Sequence, residues 1–373
     1  MSVGPVEPIS PGQLFWLVAV SVVAGGVYIW PETVAADSGP NALYAILLTV
    51  ALAAFLLIVD FATARAVRGQ VCADRLLALW GPLGWFWLLG SLGICIAVDA
   101  SILTLFGQFL EVFFYPTTDP WITRALLLAV ATWLSMQSLP TLARNVQFWF
   151  PLVLLSFYLL TALAFPQATH LTALRPAWPP SAPGVAAGVL ATWYLWIQGD
   201  VAVSLQGFVR TASPTTARRV ALVAYLYQGA MLVLIWILVV GTLGSFAPQI
   251  LQWPMPYIFA TLGPESFFVA RPGIFVLSTW AIAVLLYLAT RIFCVSLNLQ
   301  TALQLPKGMR SFACLGEALA IFALSSVLGP PGRTTWLVVH QLDPIALAFL
   351  AFRTLSSFLL SRRLSPDRPR ALP

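Results

Sequence analysis

The sequence predicts an all-α integral membrane protein with ten transmembrane helices, arranged as a 5+5 inverted repeat in which helices 1 and 6 are broken. Three observations lead there. The 373 residues are 60% hydrophobic and 9% charged, with 15 tryptophans, and a soluble fold of that size could not cover so much apolar surface with polar groups. Ten apolar runs approach the roughly 20 residues that a helix needs to cross a bilayer. The irregularities of the first five runs recur at matching places in the second five.

In chain order the expected spans are 12–31, 41–63, 82–110, 121–138, 144–165, 184–209, 218–245, 267–298, 312–329 and 336–360. Each is bounded by Pro, Gly or charge. The first lacks a basic leader and a small-residue cleavage site, so it is expected to stay in the mature protein. The third and eighth are the longest and should tilt or protrude. The connections near 166–183 and 247–266 carry "RPAWPPSAP" and "QWPMP", whose prolines favour extended segments near the membrane surface. Residues 1–373 thus form a single transmembrane domain, with repeats at about 12–165 and 184–360 and a short basic tail at 361–373.

Cys72, Cys95, Cys294 and Cys314 match no metal or disulfide spacing, and His170 and His340 are the only histidines. Without a His/Cys cluster, a Gly-Lys-Ser loop or a serine elbow, nothing supports a metalloenzyme, an ATPase or a hydrolase, and no cofactor is expected. The pI of about 9.4 does not point to nucleic acid, because the basic residues lie between apolar runs. They read as topology signals, with membrane lipid as the neighbour. With a cytoplasmic N-terminus, 15 of the 19 Lys and Arg fall on the inner side and Arg124, Arg175, Arg271 and Arg333 on the outer, so both termini are expected in the cytoplasm.

Gly25 and Gly26 interrupt the first span in "SVVAGGVYIWPE", and Gly199 interrupts the sixth at nearly the same depth in "WIQGDVAV". Broken helices of this kind expose backbone N–H and C=O groups at the midplane, where they can hold a ligand. For an amino acid, N–H groups around Gly26 and Val27 would meet the carboxylate. Carbonyls around Ile197, Gln198 and Gly199, with the charge of Asp200, would accept from the ammonium. The plainer reading is that the glycines only let helices pack closely, as Gly184 and Gly188 in "GVAAG" would.

The stretches "ISPGQLFWLVAVSVVAGGVYIWPE", "LPTLARNVQFWFPLVLLSFYLLTAL", "HLTALRPAW", "FGQFLEVFFYPTTDPW" and "TLGSFAPQILQWPMP", taken in their order along the chain, resemble the GerAB-type spore germination proteins of the amino acid/polyamine/organocation transporter superfamily. The resemblance implies a LeuT-like fold and a role as the transporter-like B subunit of a nutrient germinant receptor in the spore inner membrane, with A-type and C-type subunits as partners and a small nutrient, commonly an amino acid, as ligand. An amino acid permease, proton-coupled or uncoupled, is the rival function. By position the resemblance places the ligand against Gly25, Gly26 and Val27, the helix 3 face near Asp99, Gln198 and Gly199, and Thr279, Ala283 and Tyr287 on helix 8. The chain departs from the pattern in "RAVRGQVCADRLLALWG", which lacks a Tyr-Pro element, and in having Asp200 where glutamate is usual.

Intramembrane charges add candidates. Asp99 reads equally as a ligand or proton site and as an internal strut. Glu317 and Asp343 are expected to be solvated or paired structural charges, and Asp60 with Arg144 reads equally as a pair tying helices 2 and 5 and as a gating pair. Apart from the resemblance, Thr279, Ala283 and Tyr287 also fit a packed helix face.

Overall fold

The computed structural model describes residues 7–24, 26–67, 71–197, 200–210, 214–262 and 272–363. Repeated Ser/Asp-Pro signals start its helices. Ser10 and Gln13 form a reciprocal capping box ahead of α1 (Pro11–Val23). The same logic starts α6 (Pro120–Ser135) behind Asp119 and α7 (Leu139–Ala164) behind Ser138, because a side-chain oxygen takes a free N–H and proline occupies a position where no N–H is needed. Between α1 and α6 lie α2 (Trp30–Ser38), α3 (Ala42–Ala66), α4 (Cys72–Trp80) and α5 (Gly84–Phe113).

The second half repeats the plan with α8 (Ala182–Trp193), α9 (Asp200–Leu205), α10 (Pro214–Leu243), α11 (Pro254–Ala260), α12 (Pro272–Ala302), α13 (Arg310–Val327), α14 (Pro331–Leu337) and α15 (Asp343–Arg363). A π-helical turn, Val338–Leu342, joins α14 to α15. Among the described residues, seven helical stretches are long and apolar enough to cross a membrane, and Pro11–Ser21, Pro120–Ser135 and Ala182–Trp193 are shorter apolar helices. Together they account for the ten expected spans, with the first and sixth each split in two. At 30 and 31 residues, α5 and α12 are about 45 Å long, more than the roughly 30 Å of bilayer hydrocarbon.

The broken pairs lie at the centre. Helix α1 packs on α7 and α10, α2 on α8, and α12 on α6, α7 and α13. Gly188 lets α8 approach α2 and α3, since a Cβ there would stand 2.6 Å from Ser38 and Ala45; Gly184 likewise faces Asn41. At one end of the bundle Ile9 pairs with Phe208 and Arg210 through two 2.8 Å backbone bonds, tying the residues before α1 to those after α9. Outward-facing Leu47, Phe55, Trp133, Leu155 and Leu319 are exposed, as lipid contact requires.

Several expectations are corrected. The connection near 247–266 contains the helix α11 instead of running extended throughout. Arg144 is exposed, and Asp60 instead takes Arg353 and Thr354 of α15. Arg75, Arg291 and Arg353 are 5%, 1% and 3% exposed, so they are internal charges and not topology signals. Setting them aside leaves twelve basic residues against four.

Candidate functional site

The first span breaks where the sequence has glycine. Helix α1 closes on Ala24, and Gly26 follows with φ +126°, a conformation that side chains rarely tolerate. The chain then turns back on the Gly26 carbonyl, which accepts the N–H groups of Ile29 (3.0 Å) and Trp30 (3.1 Å) and the hydroxyl of Tyr194 (3.1 Å). The restarted helix α2 is fixed to α8 by Trp30 Nε1 donating to Thr192 (3.0 Å) and Thr33 Oγ1 donating to the Ala191 carbonyl (3.1 Å). Gln228 of α10 steadies α1 by donating to the carbonyls of Val18 and Ala19 at 2.9 and 3.0 Å.

Beside this break is a cavity of about 610 Å³, counting its open side. Gly26, Tyr28 and Ile29 line it from the break, Val98, Ser101, Ile102, Leu105, Phe106 and Phe109 from α5, Tyr194 from the end of α8, and Trp280 and Val284 from α12. Ala24, Thr33, Trp253, Thr335, Val338 and Val339 complete the wall. The rings of Tyr28 and Trp280 are 4.3 Å apart. Within this apolar lining, the Tyr28 hydroxyl, Trp253 Nε1 and Thr335 Oγ1 are buried with no hydrogen-bond partner among the described residues. Buried polar groups normally have partners, and these three have none among the described residues.

The residues named from sequence fall in different places. Gly26 lines the cavity, while Val27 is wholly buried in the core behind it. Gly25, Gln198 and Gly199 lie outside the described residues. On α5 and α12 the lining positions are neighbours of those named: Val98 beside Asp99, Trp280 beside Thr279 and Val284 beside Ala283. Ala283 is buried, and Thr279 shares a 3.1 Å hydrogen bond with Ser156 of α7. Tyr28, Tyr194, Trp280 and Thr335 were missed. A signal existed for Tyr28, two residues after the glycine pair.

Asp99 and Tyr287 belong to a separate buried cluster. Asp99 Oδ1 accepts the Tyr287 hydroxyl and lies 3.3 Å from Arg291 Nε. Asp200 belongs to another. Arg353 grips it with two nitrogens, at 3.0 and 3.4 Å, while also donating to Ser91 (2.8 Å) and lying 3.8 Å from Asp60. Paired guanidinium and carboxylate of this geometry are among the stronger polar contacts. Asp200 and Arg353 line two further chambers, of about 470 and 380 Å³, and Arg291 lines the larger. Glu317 is neither solvated nor paired: it is 4% exposed, and both carboxylate oxygens lack a partner among the described residues. Asp343, at the start of α15, is fully buried and accepts the Tyr194 backbone N–H at 3.1 Å.

Comparison with known proteins agrees with this architecture. The family model described as "Spore germination protein" matches residues 8–328. Among solved structures the chain is similar to MhsT in complex with L-phenylalanine, at 14% identity over 97% of this chain and 98% of that one, with a TM-score of 0.70. It is also similar to a Na+-coupled sialic acid symporter in a substrate-bound outward-open state, at 12% identity over 95% of this chain and 79% of that one, with a TM-score of 0.63. Curated protein sequences give no match. Likeness at such low identity gives the fold, a LeuT-type, multi-pass membrane architecture.

Proposed function

Because the chain belongs to the spore germination protein family, we propose that it is the transporter-like subunit of a nutrient germinant receptor, and that its cavity binds a small nutrient, an amino acid with an apolar side chain. The observation that carries this reading is the pairing of two interrupted helices across one aromatic cavity. The N-terminus of α2 abuts it through Tyr28 and Ile29, and the C-terminus of α8 abuts it through Tyr194. The partial charges at these ends have opposite sign, positive at an N-terminus and negative at a C-terminus, and so suit the carboxylate and ammonium of a zwitterion. The apolar wall of Phe106, Phe109, Trp253 and Trp280 suits its side chain. MhsT, solved with L-phenylalanine, supports an amino acid of that kind.

Sensing needs the occupied and empty cavity to differ elsewhere. Val338 and Val339 line the cavity in the π-helical turn that leads into α15, and Arg353 of α15 holds Asp200, Ser91 and Asp60. π-Helical turns recur at functional sites. A ligand that favours one setting of this turn would bias the Arg353 contacts, which we place at the cytoplasmic side with both termini, in the spore inner membrane. A- and C-type receptor subunits are the partners of this reading. The two chambers around Asp200 and Arg353 favour a second reading, permeation of the same ligand.

The test is equilibrium binding of radiolabelled L-phenylalanine, L-leucine, L-alanine and glycine to the purified protein, followed by uptake into liposomes. The proposal expects saturable binding of the apolar amino acids, competed by neither phenethylamine nor phenylpropionate. Binding of none of the four would refute it. Uptake against an empty-liposome control would favour the permease.

A further inference from the structure

Helix α13 exposes Phe312, Leu315 and Leu319 on one side and buries Cys314, Glu317 and Ile321 on the other. The buried side packs on α5, α6 and α12. Thr104 of α5 donates to the Ser325 carbonyl of α13 at 3.2 Å, which fixes the two helices in register. Five spans, an odd number, lie between them, so they run in the same direction, and Gln108 of α5 accordingly reaches the Gly329 carbonyl one turn further on at 3.2 Å. Stepping back from that contact equally along both helices brings Glu317 level with the turn between Cys95 and Asp99. The charges that reach Glu317 are accordingly those of Asp99 and Arg291.

The cluster therefore holds two carboxylates and one guanidinium. Arg291 meets Asp99 through Nε at 3.3 Å, its Nη2 having no partner among the described residues, and the Tyr287 hydroxyl donates to the same Asp99 oxygen. Glu317 is left over, with both oxygens unpartnered among the described residues. Other charges packed on α13 are engaged elsewhere. Arg124 of α6 donates to the carbonyls of Pro120 and Ser325, and Arg310, at the start of α13, donates to those of Ser135, Met136 and Gln137. The remaining titratable neighbours, Cys95, Cys294 and Cys314, are thiols and bring no positive charge. A bare carboxylate inside a bilayer-spanning bundle is costly unless neutralised.

We propose that Glu317 is a proton-binding site, neutral as the carboxylic acid when Arg291 is held by Asp99. A metal cation fits this place poorly. A hard cation takes about six or more oxygen ligands, whereas the cluster offers the two Glu317 oxygens and Asp99 Oδ2, the last also unpartnered, and the neighbouring guanidinium repels a second positive charge. The proton comes from water in the chamber lined by Cys95, Arg291, Asp200 and Arg353. On the other side Val98, next to Asp99, lines the ligand cavity, so the cluster stands between the two. A movement of α5 or α12 that brought Arg291 onto Glu317 would release that proton to the chamber. The site rests on the charge count and not on which ligand the cavity takes.

Infrared difference spectroscopy on the full-length purified protein tests this directly. At neutral pH the wild type minus Glu317→Gln spectrum is expected to contain the C=O stretch of a protonated carboxylic acid and no carboxylate bands. Glu317→Asp should retain a protonated-acid band, and exchanging sodium for choline should leave the wild-type band unchanged. Because glutamine mimics the neutral acid, the melting temperature of Glu317→Gln is expected to match the wild type. Carboxylate bands in the difference spectrum, a sodium-dependent loss of the acid band, or a large drop in melting temperature would each overturn the proposal. Should Glu317→Gln fail to fold, carbon-13 glutamate labelling answers the question in a Glu32→Gln background, which removes another glutamate with a buried oxygen lacking a partner among the described residues: an acid band must shift with the label, and the absence of any acid band that shifts refutes the assignment.

Discussion

Replacing Gly26 with alanine isolates the break from every other feature of the cavity. The added Cβ would stand 2.7 Å from Tyr194 Cε2 and 3.4 Å from its hydroxyl, so the ring must move. It would also sit on a residue with φ +126°, and such backbone strain costs about 1–3 kcal/mol. Displacing the ring breaks the 3.1 Å bond from Tyr194 to the Gly26 carbonyl, a loss of about 1 kcal/mol. The sum, about 2–4 kcal/mol, corresponds to a binding constant weaker by about 30- to 700-fold if it falls on the ligand-competent state. The assay is quenching of tryptophan fluorescence by L-phenylalanine, since Trp253 and Trp280 line the cavity, with membrane insertion and monodispersity measured alongside. In a Tyr194→Ala background the steric part disappears, so Gly26→Ala should cost less there than in the wild type. A well-folded Gly26→Ala protein that binds within about threefold of the wild type, well inside the 1.4 kcal/mol of one tenfold step, would refute the reasoning and leave Gly26 as a packing residue.

Three other outcomes are expected. Tyr194→Phe removes only the hydroxyl that clamps Gly26, so it should weaken L-phenylalanine binding by about five- to tenfold, the worth of roughly one hydrogen bond; unchanged affinity would remove the clamp from the site. Asp200→Asn leaves Arg353, 3% exposed, with Asp60 at 3.8 Å as its remaining acidic partner, and should destabilise the protein by about 2–4 kcal/mol; Glu317→Gln should cost far less, and denaturation profiles compare the two. Cysteines placed at the exposed positions Ala66 and Thr117, in a background lacking Cys72, should react from opposite sides of the membrane, Ala66 from the cytoplasm, and labelling of both from one side would refute the orientation.

How much of this was legible depends on whether a feature is local. The spans were, because a bilayer leaves the backbone no choice but to satisfy itself within each apolar run. The break at Gly26 was too, since a positive φ in mid-membrane selects glycine and glycine is visible in the sequence. Along α5 and α12 the residues named from sequence and the residues that line the cavity differ by one position. Asp99, Thr279 and Ala283 were named where Val98, Trp280 and Val284 line the cavity, and one residue on a helix is a rotation of about 100°. The reason is physical: 83% of the apolar window of α12 is buried, and a helix that is apolar all round carries no stripe from which to read its rotation. The charges are a different case. Asp200 beside the second break looked like a ligand group, yet its partner Arg353 stands on the last helix, 153 positions away, and Arg291 was counted as a topology signal because nothing near it in sequence reveals Asp99. Pairings of this kind are set by which helices meet, and that is decided by the assembly of the whole bundle.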